Sequence, residues 1–435
     1  MSLLKEKIRE KLPSWRERVT KLLKEHGDTE VSKVIISQFY GGMRGVKCLT
    51  TDISYLDPYE GIRFRGYTIP EALEKLPKAK GAEFPYVEGH LYLLLTGDLP
   101  TEEDVQDVVA DMQKRGKVPG YVWEVLRSLP ADTHPMTMFS IAVMTLQKES
   151  EFVKQYNKGM NKYDYWEPAL EDALNLIAKL NTIAAFIYRL KYKGDTPIEP
   201  DFSLDYGKNF AHMMGIDTPY DELARLYFIL HSDHESGNVS AHTTHLVAST
   251  LSDPYYAFSA GLNGLAGPLH GLANQEVLRW IQDLMDQMGG KTPTKADLEK
   301  FVWDTLKSGK VVPGYGHAVL RKTDPRYTAQ REFCLKHLPD DPLFQTVSLL
   351  YDVVPPILKE QGKAKNPWPN VDAHSGVIQW YYGVKEYDFY TVLFGVGRAL
   401  GVLCNIVWDR ALGQAIERPK SLTLAMLEEA AGIKK

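Results

Sequence analysis

Tyr390-Thr-Val-Leu-Phe-Gly-Val-Gly-Arg398-Ala-Leu-Gly-Val-Leu-Cys-Asn-Ile-Val-Trp408 is the most apolar long window in the chain, and its reading decides the fold class. Its length suits a bilayer span, but a lone arginine at the centre of a spanning helix is costly and rare. The window is therefore read as a buried helix of a soluble protein, with no membrane partner. Helical spacing recurs on either side. Glu222 to His231 puts Leu223, Leu226, Tyr227 and Leu230 on one face. Ala273 to Met288 does the same with Val277, Ile281, Leu284 and Met288. Asp297 to Lys307 follows with Leu298, Phe301, Val302 and Thr305, and Gly309 is a natural stop. Leu3 to His26 reads as an amphipathic surface helix (Leu4, Ile8, Leu12, Trp15, Val19, Leu22). Its Glu6, Glu10, Glu17 and Glu25 are unlike an acid-poor transit peptide. Strand-like runs are few and short, Val311-Val312 and Ala318-Val319-Leu320 being the best. The expected fold is all-α with very little β.

The 435 residues are enough for two or three domains and a large core. A net charge of -5 argues against a general nucleic-acid surface. The three cysteines, Cys48, Cys334 and Cys404, form no CxxC pair, which fits a reducing compartment. Lys191 to Phe202 reads as a surface loop, and Gly289 to Pro293 separates two helices.

Three turns each carry an acid–base side chain beside glycine or proline: Gly267-Pro-Leu-His270-Gly271, Pro313-Gly-Tyr-Gly-His317 and Pro367-Trp-Pro-Asn-Val-Asp372. Two imidazoles and a carboxylate on constrained turns suit chemistry on a weak carbon acid. His270 comes just before a helix expected near Leu272, whose dipole disfavours imidazolium, so a neutral ring acting as donor is expected. Gly314-x-Gly316-x-x-Val319 imitates a dinucleotide fingerprint without its third glycine. Asp372 precedes the apolar run Val377 to Tyr382, which makes it a candidate helix cap as well as a base. Arg398 needs an anion: a distant carboxylate, or a substrate carboxylate shared with Arg326 and Arg418. Lys310, Arg321, Lys322, Lys363 and Lys365 put positive charge beside the second and third turns. The histidines at 231, 234, 242 and 245 could be drawn as a metal site, but HExxH is absent and a polar wall for an oxyacid fits better.

With those blocks, Gly41-Gly-Met-Arg44-Gly, Glu60 to Gly66 and Glu417-Arg418-Pro-Lys, the chain resembles citrate synthases of the eukaryotic mitochondrial type over nearly its whole length. The resemblance implies a helical homodimer in the mitochondrial matrix, with a large domain (1–271 and 383–435) and a small domain (272–382) closing over the substrates. It implies condensation of acetyl-CoA with oxaloacetate through an enol and citryl-CoA, without a cofactor or metal. Asp372 would take the methyl proton, His270 hold the enol oxygen and His317 protonate the ketone oxygen. His234, Arg326 and Arg398 would bind oxaloacetate, with Arg418 lent by the neighbouring subunit. Arg44, Val311, Val312, Gly314, Tyr315, Gly316, Arg321, Lys363, Lys365 and Asn370 fall where that family binds CoA. Ser236 and Gly397 depart from animal relatives, which carry glycine and serine there. The rivals are a 2-methylcitrate synthase using propionyl-CoA and, further off, a metallohydrolase using His231 to His245.

Overall fold

A computed structural model describes residues 2–433; Met1, Lys434 and Lys435, which the expected large-domain ranges include, lie outside the described residues. The architecture is all-α: 62% of the chain is helical and 3% is strand. Helices α1 (Leu3–His26), α2 (Trp166–Tyr192), α3 (Tyr220–Leu230), α4 (Val239–Ser249), α5 (Pro254–Leu265) and α6 (Ala273–Gln287) are followed by α7 (Lys295–Lys307), α8 (Pro325–His337), α9 (Pro342–Gln361), α10 (Asp372–Tyr381) and α11 (Tyr390–Leu412). The helical expectations at 3–26, 222–231, 273–288, 297–307 and 390–408 each correspond to one of these to within a few residues.

Every residue from Tyr390 to Trp408 is buried. Helix α11 packs against α2, itself buried over most of its length, and against α3, α4 and α5. Each fully buried leucine, valine or phenylalanine there contributes roughly 1.5–3 kcal/mol, so the window's hydropathy is spent on a protein core. Helices α6 to α10 form a second packing group: α6 on α10, α7 on α9, and α8 and α9 on α10.

The expected strands at 311–312 and 318–320 are absent; both runs are loop. Their apolar side chains serve packing instead, Val312 and Leu320 being buried while Val311 is 80% exposed. Among the described residues the one sheet is a meander missed in the sequence, β1 (Ser54–Asp57), β2 (Gly61–Phe64) and β3 (Tyr67–Thr68), paired antiparallel in that order. Helix α1 docks through Leu4, Ile8, Leu12 and Trp15, the last packing on Trp408, whereas Leu22 is exposed. The loop expected from Lys191 starts after Tyr192.

Candidate active site

Helix α4 begins at a polar turn. Asn238 caps it by accepting the Ala241 N–H at 3.2 Å, and Arg398 reaches the same Asn238 oxygen at 3.0 Å. Ser240, in the first turn of α4, meets His270: its backbone N–H donates to His270 Nε2 at 3.2 Å and its hydroxyl lies 2.9 Å from that nitrogen. A backbone N–H can only donate, so Nε2 is unprotonated and the ring proton sits on Nδ1. Burial pushes the His270 imidazole down to about 4, with Arg398 adding to the effect. The neutral donor expected from the sequence is therefore present, but burial and a guanidinium hold it neutral where a helix dipole was expected to.

His317 is fixed in the opposite sense. Its Nδ1 accepts the N–H groups of Val319 and Leu320, each at 3.0 Å, which leaves the proton on Nε2. Burial, then Arg326, lower this ring to about 4 as well. The loop carrying His317 is stitched to the one carrying Asp372. Gly316 N–H donates to the Trp368 carbonyl (3.0 Å), Asn370 N–H to the Gly314 carbonyl (2.9 Å), and the Asn370 side chain to the Gly316 carbonyl (3.1 Å). Gly314 lies where this ribbon crosses two helices: its φ is +76°, and a Cβ would stand 2.9 Å from Val277 and 3.1 Å from Ala373. Asp372 is the first residue of α10 and not its cap; Asn370 takes part of that role by accepting the Asp372 N–H at 3.0 Å. Among the described residues nothing donates to the Asp372 carboxylate. Burial raises it to about 6, against the pull of Arg326 and with a push from Asp324.

His234 stands between these groups. Its ring centroid is 5.5 Å from that of His317, and its Nε2 is buried with no hydrogen-bond partner. Burial lowers its pKa far below the usual value, with Arg326, His317, Arg398 and His270 all contributing, so these five groups lie within one electrostatic neighbourhood. Arg326 is paired with Asp324 through Nη2 at 2.7 Å, both residues buried. Burial alone would raise the Asp324 carboxyl, but Arg326 holds it below the ordinary value. Arg398 has no carboxylate within ion-pair distance among the described residues. It bonds to the His231 carbonyl at 3.2 Å and to neutral side chains, and burial lowers it to about 10, still a cation at neutral pH. One half-satisfied guanidinium, one orphaned imidazole nitrogen, two neutral imidazole donors and an elevated carboxylate make a cleft suited to a small dianion and a proton transfer.

Lys363, Lys365, Arg321 and Arg44 are exposed. Arg321 is already folded onto its own loop, bonding the Val319 carbonyl at 2.7 Å. The Tyr315 hydroxyl is buried without a partner. Arg418 is exposed and outside the cluster; its neighbour Glu417 holds His242 at 3.2 Å. The four histidines drawn as a metal site go separate ways. His231 bonds the Tyr227 carbonyl and His245 faces Asn405, and no group of three ligands suited to a metal occurs among the described residues. The Ser236 hydroxyl is buried and unpartnered. A Cβ at 397 would meet the His231 Cβ at 3.2 Å, so the absence of a side chain there lets α3 approach α11. Sequence reasoning missed Ser240, Asn238 and Asp324. Asp324 had a signal, its place two residues before Arg326 and ahead of a proline.

The family model for the citrate synthase C-terminal domain matches residues 42–420. Mitochondrial citrate synthase of Daucus carota is 57% identical over 426 residues, covering 98% of this chain and 90% of that protein. The mitochondrial enzyme of Xiphias gladius is 54% identical over 433 residues, 99% and 92% respectively. Among solved structures, citrate synthase from Pyrobaculum aerophilum aligns with a TM-score of 0.77 at 29% identity, covering 91% of this chain and 95% of that one. The complex of citrate synthase from Thermoplasma acidophilum with carboxymethyl coenzyme A and oxaloacetate aligns at 0.73 and 25% identity, covering 90% and 97%.

Proposed function

Because the chain belongs to the citrate synthase family, we propose that its cleft condenses acetyl-CoA with oxaloacetate using Asp372, His270 and His317 in three separate roles. The enzyme is an acyltransferase of the mitochondrion: acetyl-CoA, oxaloacetate and water give citrate and CoA. No cofactor enters that reaction, since the thioester is itself a substrate.

Asp372 takes a proton from the acetyl methyl group, and His270 donates its Nδ1–H to the thioester oxygen as the enol forms. The enol carbon attacks the oxaloacetate ketone as the enol O–H proton returns to His270 Nδ1, while His317 delivers its Nε2 proton to the ketone oxygen and is reprotonated by the proton that Asp372 took from the methyl group. Water then cleaves citryl-CoA. Arg398, Arg326 and His234 hold the oxaloacetate carboxylates, and Arg418 reaches the same substrate from a second copy. Exposed apolar residues support a dimer: Val31, Ile35 and Tyr40 on the N-terminal segment, Ile416 and Leu424 on the C-terminal one. The packing group α6 to α10 supports a small domain of 272–382, with CoA held along Val311 to Gly316, Asn370 and the exposed bases Arg44, Arg321, Lys363 and Lys365. Closure of that domain excludes water until the carbon–carbon bond exists.

The observation that carries the reading is the opposite tautomers of the two neutral rings, one donor for each oxygen that changes charge. The test is thiol release from acetyl-CoA with and without oxaloacetate, repeated with propionyl-CoA. Release that requires oxaloacetate and favours acetyl-CoA is expected; release without oxaloacetate, or a preference for propionyl-CoA, rejects it.

A further inference from the structure

The loop Ser232 to Glu235, which carries His234, is gripped from two sides. On one side is α11: Gly401 N–H donates to the Ser232 carbonyl at 3.1 Å, and a Cβ at 401 would stand 2.4 Å from the Asp233 Cβ. On the other side is the β1–β2 hairpin. The Ser54 hydroxyl donates to the Asp233 carboxylate at 2.6 Å and accepts the Glu235 N–H at 2.9 Å, so one side chain clamps the residues before and after His234. Leu56 N–H donates to the Glu235 carboxylate at 2.7 Å. Glu235 sits at φ +57°, a left-handed conformation that side chains other than glycine enter at a cost, and these two bonds hold it there. The turn of the same hairpin reaches across the site: the Pro58 carbonyl accepts the Arg321 N–H at 2.7 Å, just beyond His317.

We propose that the β1–β2 hairpin is a strap that sets the His234 loop against the His317 loop, with Ser54 and Glu235 as positioning residues for oxaloacetate. The proposal rests on the citrate synthase reading above. Neither residue takes part in the chemistry; each acts through the backbone that aims His234. Ser54 also supplies a hydrogen bond to a buried carboxylate lying in the field of Arg398, and without that bond Asp233 is short of a donor beside the guanidinium that receives the substrate.

The experiment compares Ser54→Ala, Glu235→Ala and Glu235→Gln with wild type, measuring oxaloacetate binding by calorimetry without thioester, both KM values, kcat and thermal melting. The two alanine variants are expected to weaken oxaloacetate binding about tenfold, ~1.4 kcal/mol, with acetyl-CoA KM within about twofold of wild type. Glu235→Gln keeps an acceptor for Leu56 and is expected to bind within about threefold of wild type. Alanine variants that melt earlier but bind oxaloacetate as wild type does overturn the proposal, as does a glutamine variant no better than alanine. Wild type that fails to bind oxaloacetate at all overturns the underlying reading instead, which separates the two failures.

Discussion

Replacing Asp372 by asparagine is expected to stabilise this protein while nearly abolishing its activity. The carboxylate receives no hydrogen bond among the described residues, and burial lifts it from its ordinary 3.8 to about 6. A shift of about two units at ~1.36 kcal/mol each makes the ionised side chain cost the fold about 3 kcal/mol at neutral pH. That figure is an upper one, because the residue keeps partial contact with solvent. A pKa raised on folding means that the cost vanishes below about pH 4, where both states hold the proton, and is complete above about pH 6. Asparagine has the same shape and no charge, so it escapes the cost. Denaturant unfolding at about pH 7.5 should favour the variant by up to ~3 kcal/mol, and at about pH 5 by about half as much. Thiol release should fall about a thousandfold, within the range for loss of a general base. A variant less stable than wild type at the higher pH would show that this carboxylate is not strained, and one keeping a tenth of the activity would show that it is not the base.

The acid limb of kcat/KM for acetyl-CoA should follow a single group near pH 6 and be flat above it, since burial keeps His270 and His317 neutral from there upward; a pH–rate series with a limb near 4 alone would contradict this. Asp324→Asn leaves Arg326 as a buried, unpaired cation, so unfolding measurements should register a loss of ~3–5 kcal/mol, and the acid limb should move to lower pH as a negative neighbour of Asp372 disappears. Gly401→Ala forces a methyl group into Asp233 and should cost about 1–3 kcal/mol, with oxaloacetate KM rising more than acetyl-CoA KM. Prolonged treatment with a chelator should leave thiol release unchanged; loss of rate that returns on adding a divalent metal would revive the histidine-cluster reading.

The features legible in the sequence were those written in local pattern. Periodicity located α3, α6 and α7, where apolar residues three and four apart share one helix face, whereas α11 was read from its unbroken apolar length, which matches its burial on every side. Arg398 stood out because its neighbours supply no anion. The meander at 54–68 escaped because its strands are two to four residues long, too short for alternation to rise above chance, and β1 owes its place to tertiary bonds from Asp233 and Glu235. Val311-Val312 misled in the opposite direction: β-branched residues there line a loop held by Trp368 and Asn370, partners far along the chain. The capping role given to Asp372 passed to Asn370 because the helix already begins at Asp372, one residue earlier than a cap at that position allows. The tautomers of His270 and His317 depend on backbone donors from other segments or from the following turn, which no residue type announces.

The burial of α11 against α2 also has a consequence for how the chain is made. Helix α2 leaves the ribosome about 200 residues ahead of the helix that covers it, and at about 5–20 residues per second its greasy side waits about 10–40 seconds for its cover. Nascent chains expose that side during the interval, and codon changes that slow translation between the two segments are expected to lower the yield of soluble product without altering a single amino acid.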